Sequence, residues 1–175
     1  ERLSPLSLIH GLNNAANALA LPHGAYTAEA WGKSLDVNLR GPLFLVQEAL
    51  AHLTQSRHAA VLNVVSGAAF LFSSTVSLYA IGKAGLMAAT RSMAAEWAQH
   101  DIQANSIGPG YILTDMNEAL VNNKEFDAWV KASNPAQRWG KPEELVGAAV
   151  FLSSAASNYV NGQIIYVDGG WLSVL

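Results

Sequence analysis

The sequence predicts a three-layer α/β domain: a parallel sheet with helices on both faces. Two patterns carry this expectation. Short β-branched runs end in Asn, Ser, Gly or Pro, and they alternate with longer segments whose apolar residues recur every three or four positions. Strands separated by helices need crossover connections, which parallel pairing requires and which leave both sheet faces covered.

Each element has its own signal. Leu6 to Leu12 is a short apolar run closed by Asn13 and Asn14, and its length favours a buried strand. Leu39, Leu43, Val46, Leu50 and Leu53 give a helical period from Asp36 to about Leu53. Val61, Leu62, Val64 and Val65 form the next strand, ended by Ser66 and Gly67. A helix from Leu78 to about His100 carries Ile81, Leu86, Ala89, Met93 and Trp97 on one side, with Gly82, Ala84, Gly85, Ala88 and Ala89 offering close approach to another backbone. Asp101 to Ile107 reads as a strand stopped by Gly108-Pro109-Gly110. Thr114 or Asp115 can cap a helix toward Lys131, and Pro142 with Glu143 and Glu144 starts another through Leu152. Gln163 to Val167 is the last strand, stopped by Asp168-Gly169-Gly170.

Composition bounds the function. The chain has 175 residues, 51% hydrophobic and 13% charged, which suits one core and one domain over residues 1–175. A net charge of -3 and scattered Lys and Arg argue against a nucleic-acid partner. Without cysteine no disulfide or thiolate metal site is possible, and the cytoplasm is the expected compartment. The apolar stretches fall well short of the roughly 20 residues of a membrane span. His10, His23, His52, His58 and His100 are too dispersed to suggest a metal site, so none is expected.

In parallel α/β sheets ligands sit beyond the carboxyl ends of the strands. Asn13-Asn14, Ser66-Gly67 and Gly108-Pro109-Gly110 all fall there, so three segments should converge on one crevice. Tyr79 and Lys83, at i and i+4, project from one helix face, and an ammonium beside a phenol lowers its pKa from about 10. Alone, that pair is better explained by composition. Ser66, ending a buried strand upstream, adds a hydroxyl to the same crevice. Asn38 adds an amide, although a local helix cap or turn would account for it equally well.

Taken together, Asn14-Ala15-Ala16, Asn38, Ser66, Tyr79-Ala80-Ile81-Gly82-Lys83, Pro109-Gly110 and Asn161-Gly162 through Asp168-Gly169-Gly170 resemble the short-chain dehydrogenase/reductase family over nearly the whole chain. The resemblance implies a Rossmann-type sheet, NAD(H) or NADP(H) as cofactor, and interconversion of a carbonyl and a secondary alcohol on a small molecule. It implies Tyr79 as proton donor or acceptor, Ser66 as holder of the substrate oxygen, and Lys83 as the ribose-binding cation that lowers the Tyr79 pKa. Asn38 would hold the water of a proton relay. Asn14, Ala15 and Ala16 would lie beside the adenosine ribose, and Pro109, Gly110, Ile112 and Thr114 along the nicotinamide. A homo-oligomer, dimer or tetramer, is also implied, to which the small-residue helix face and the tail Trp171 to Leu175 would contribute.

The C-terminal third, from Phe126-Asp127-Ala128-Trp129-Val130 through Pro135-Ala136-Gln137-Arg138-Trp139-Gly140 to Tyr166-Val167-Asp168-Gly169-Gly170, is similar to the gluconate 5-dehydrogenase branch, which interconverts 5-keto-gluconate and gluconate. A 3-oxoacyl-carrier-protein reductase-like activity stays open. Arg138 could meet a sugar-acid carboxylate, although an arginine near a helix start is more often a surface residue. Two departures stand out. Ala16 replaces the usual glycine, and no glycine-rich phosphate turn is found. The expectation is that the first strands and helices of the fold lie outside this sequence, which opens at Glu1. On that basis a truncated, non-catalytic remnant that only binds or oligomerises is the alternative to an enzyme.

Overall fold

The computed structural model describes residues 9–69 and 75–174. Four strands form one sheet in the order β1-β2-β3-β4. These are β1 (Ile9–Asn13), β2 (Ala59–Val64), β3 (Ile102–Pro109) and β4 (Ile164–Val167). Every pair is parallel, with Asn13 beside Asn63, Val64 beside Ile107 and Pro109 beside Val167. Of the first predicted strand, Leu6 to Leu8 lie outside the described residues.

Strand alternation divides the core into two layers. On one face Ala59 and Val61 of β2 and Ile102 and Ala104 of β3 pack against Val46 and Leu53 of α2 (Gly41–Leu53) and against Met93 and Ala94 of α3 (Ser77–Trp97). On the other, Leu62 and Ile107 meet Leu152 of α6 (Val146–Leu152). Burying a side chain such as Leu86 or Leu53 contributes roughly 1.5–3 kcal/mol, and both are 1% exposed or less. Leu12, in register with the buried Leu62, remains 57% exposed on β1, the outer strand of the sheet that the described residues form.

The helix expected to begin at Asp36 begins earlier. Thr27 accepts from the Ala30 N–H at 3.0 Å and caps α1 (Ala28–Leu35), with Glu29 in the first turn. A π-turn, Asp36–Arg40, then joins α1 to α2, and the Gly41 N–H donates to the Asp36 carbonyl. Asn38 therefore sits within a continuous helical path, neither cap nor loop. At this turn α3 comes closest: a Cβ on Gly82 would lie 2.8 Å from that of Asn38, and one on Gly85 would lie 2.9 Å from Leu39. The close approach that those glycines allow is thus made within the chain.

The segment after β3 also departs from expectation. The helix foreseen from Thr114 or Asp115 toward Lys131 is broken into a 3-10 turn (Asp115–Asn117), α4 (Glu118–Val121) and α5 (Lys124–Ser133). The stronger cap is Asn123, whose side chain accepts from the N–H groups of Glu125 and Phe126, both at 3.1 Å. Pro142 opens a 3-10 turn that leads into α6.

Candidate functional site

The carboxyl ends of β1, β2 and β3 deliver the three predicted segments to one end of the sheet. Asn13, just before the β1 end loop, is buried and donates to Asn63 Oδ1 at 2.7 Å. Asn63 donates to Thr90 Oγ1 at 2.9 Å, and Ser106 Oγ donates to the same oxygen at 3.0 Å, so one polar chain ties three strands to α3. Each of these buried groups is partnered, as burial demands. Asn14, Ala15 and Ala16 follow on the exposed rim.

Ser66 stands just past β2, where the Val65 N–H still bonds to the Ile107 carbonyl at 2.8 Å. Its Oγ accepts from the Ala68 N–H at 3.1 Å and faces the Tyr79 hydroxyl closely enough to act on that group's pKa. Lys83 is 1% exposed, its Nζ donating to the Val64 carbonyl at 2.8 Å and lying 6.0 Å from the Tyr79 ring centroid. The structure thus brings Ser66, Tyr79 and Lys83 together. Val64 takes one of three N–H donors on that ammonium, which leaves donors for the hydroxyls of a ligand.

The electrostatics differ from the sequence expectation. Burial raises the Tyr79 pKa, and the opposing influence is the Ser66 hydroxyl rather than the Lys83 charge. Burial also draws the Lys83 ammonium down to about 8. A cation that is itself losing its proton is a weaker partner for a phenolate.

Asn38 is fully buried beside this group. Its Nδ2 donates to the Asn17 carbonyl at 2.8 Å, to Asn17 Oδ1 at 3.0 Å and to the Ser34 carbonyl at 2.9 Å. Its Oδ1 accepts from the Asn17 N–H at 3.3 Å. The amide side chain clamps the loop after β1.

Beyond β3, Gly110 has no room for a side chain, since a Cβ would lie 2.7 Å from Asp168 Cα. Thr114 is exposed and, with Leu113, Asp115, Glu118 and Val121, lines an open groove of about 330 Å³. Ile112 turns the other way: it is buried, pairs with Gly140, and its carbonyl accepts from Asn117 at 2.8 Å. The described residues include no cluster of three His, Asp or Glu able to hold a metal. Nor is any described helix long and apolar enough to cross a membrane.

Two features escaped the sequence reading. Tyr111 is the hub of an aromatic cluster, with ring centroids 5.7 Å from Phe126, 5.8 Å from Trp129, 5.5 Å from Trp139 and 4.7 Å from Trp171. Trp171, expected in a subunit-packing tail, is instead buried against the back of Gly67, beside Ser66. Arg138 forks onto Glu144, with Nη1 to Oε2 at 2.8 Å and Nη2 to Oε1 at 2.6 Å. That bond, reinforced by the Lys141 N–H, holds the Glu144 carboxyl down at about 2. Arg138 therefore already has a carboxylate.

A four-stranded parallel sheet, covered on both faces and with a hydroxyl, a phenol and an ammonium gathered at its carboxyl ends, defines a Rossmann-type domain. The family model described as Enoyl-(Acyl carrier protein) reductase matches residues 7–172, and the chain belongs to the short-chain dehydrogenase/reductase family. It is 40% identical over 171 residues to the 5-keto-D-gluconate 5-reductase of Escherichia coli (strain K12), covering 97% of this chain and 66% of that protein. It is 36% identical to the gluconate 5-dehydrogenase of Gluconobacter oxydans (strain 621H), covering 96% of this chain and 65% of that one. The structure of a gluconate 5-dehydrogenase from Burkholderia cenocepacia J2315 in complex with NADP and tartrate superposes with a TM-score of 0.92 at 39% identity, over 95% of this chain and 66% of that one. The chain thus spans just under two thirds of the length of these relatives.

Proposed function

We propose that the protein is an NAD(P)-dependent oxidoreductase that interconverts a carbonyl and a secondary alcohol on a sugar acid of the gluconate and 5-keto-gluconate kind. The observation that carries this reading is the gathering of the Ser66 hydroxyl, the Tyr79 phenol and the buried Lys83 ammonium, whose Nζ lies 6.0 Å from the Tyr79 ring centroid. The gluconate branch is supported by relatives whose names specify that chemistry.

The donor set fits a dinucleotide. Lys83 has N–H groups to offer a ribose diol, and the small rim residues Asn14, Ala15 and Ala16, with Pro109 and Gly110, allow close approach of a ligand. Thr114 adds an exposed hydroxyl at the same end, while Ile112 takes no side-chain part. When bound, the cofactor supplies or accepts the hydride.

The chain's own residues do the rest. Ser66 donates to the substrate oxygen, where negative charge develops during carbonyl reduction. Tyr79 delivers its hydroxyl proton to that oxygen, or takes it back in alcohol oxidation. Lys83 binds and orients the cofactor. Asn38 holds the rim loop in place.

We also infer a homo-oligomer. Phe44 and Leu45 on α2 are 53% and 62% exposed, an apolar surface that a second copy can cover. A monomeric mass by light scattering would contradict it.

The substrate is tested by assaying the intact protein with 5-keto-gluconate and with an acetoacetyl thioester. Reduction of 5-keto-gluconate is expected. Turnover of the thioester alone would reject the gluconate branch in favour of a 3-oxoacyl-carrier-protein reductase-like activity, and turnover of neither would favour a remnant.

A further inference from the structure

The loop that follows β1 carries the rim residues Asn14, Ala15 and Ala16, two of which have side chains too small to anchor anything. What fixes the loop is Asn17. Its Nδ2 donates to the Lys33 carbonyl at 2.8 Å, and its Oδ1 accepts from Asn38 at 3.0 Å, in addition to the two bonds that its backbone makes with Asn38. The acceptors Lys33 and Ser34 stand at the end of α1, directly before the π-turn. A π-turn interrupts the i to i−4 ladder and frees helical carbonyls for outside donors. Asn17 supplies one from the loop, to the Lys33 carbonyl, and Asn38, within the π-turn, bonds to the Ser34 carbonyl. The π-turn in turn is pressed against Gly82 of α3, one residue before Lys83.

We propose that Asn17 is a positioning residue for the cofactor: its side chain locks the rim at Asn14–Ala16 to the π-turn, and so to the helix that bears Tyr79 and Lys83. The inference rests on the oxidoreductase reading above. Nothing in the chemical step passes through Asn17, so its effect falls on cofactor affinity and not on the rate of the bound complex.

The test uses Asn17→Ala and Asn17→Asp in the intact protein, titrated with NADPH and NADH and assayed at saturating cofactor. Asn17→Ala removes two neutral side-chain hydrogen bonds and is expected to raise the cofactor dissociation constant about 5- to 30-fold, with kcat nearly unchanged. Asn17→Asp keeps an acceptor for Asn38 but turns a carboxylate oxygen onto the Lys33 carbonyl, so a rise at least as large is expected; it carries the same test if the alanine variant does not fold. An unchanged dissociation constant, or a fall in kcat with affinity intact, would overturn the proposal. If the unaltered protein neither binds cofactor nor turns over, the oxidoreductase reading fails. Amide exchange at residues 14–17 then decides the clamp: faster exchange in Asn17→Ala upholds it, and unchanged exchange overturns it.

Discussion

Tyr79 and Lys83 are displaced in ways that a sequence does not reveal. Both pKa values move toward the uncharged form, because a buried phenolate and a buried ammonium each lose hydration. Carbonyl reduction needs Tyr79 as a phenol, and its raised pKa keeps it so across the neutral range. It also needs Lys83 charged, a condition met below about 8 and lost above it. The kcat/KM for reduction, which reports the free enzyme, should therefore be level at neutral pH and fall as pH rises through about 8. A profile that stays level into the range of an unperturbed lysine would contradict this. The spacing of Tyr79 and Lys83 was legible because i and i+4 share a helix face. The fork between Arg138 and Glu144 was not, because it closes across a 3-10 turn whose geometry no periodicity announces.

Among the elements, the strands were legible from their apolar runs and polar stops: β2, β3 and β4 lie within two residues of their predicted bounds, and β1 ends one residue past its own, its predicted start lying outside the described residues. The helical segment 28–40 was only half read. Thr27 and Glu29 were a usable start signal, whereas the π-turn depends on the Asn17 side-chain amide from the loop after β1 and on that of its own Asn38. Gly82 shows how tightly that turn is packed. In an isolated helix Gly→Ala gains up to about 1 kcal/mol, but overpacking costs about 1–3 kcal/mol. At Gly82 the new Cβ would meet another Cβ at 2.8 Å, one fixed to backbone, so the cost prevails. Gly82→Ala should lower stability in urea unfolding and reduce activity by shifting Tyr79 and Lys83. Gly32, on α1, has no atom within 4 Å of a built Cβ, and Gly32→Ala should stabilise by up to about 1 kcal/mol. Equal shifts of the same sign would refute the packing account.

At the scale of the molecule, the alternation of strands and helices was enough to predict a parallel sheet and the end at which the site lies. The aromatic cluster was not foreseeable, since it joins Tyr111 after β3, Phe126 and Trp129 on α5, Trp139 before α6 and Trp171 after β4. The crevice is likewise a property of the whole sheet: Ser66 and Tyr79 meet only because β2 ends where α3 begins its crossing to β3. The central claim is that this meeting performs proton transfer, and the most direct measurement pairs cofactor titration with steady-state turnover in Tyr79→Phe. Cofactor binding should persist while turnover falls by about 10²- to 10⁴-fold, the usual contribution of a positioned acid–base group. A Tyr79→Phe protein that keeps its rate would contradict the account.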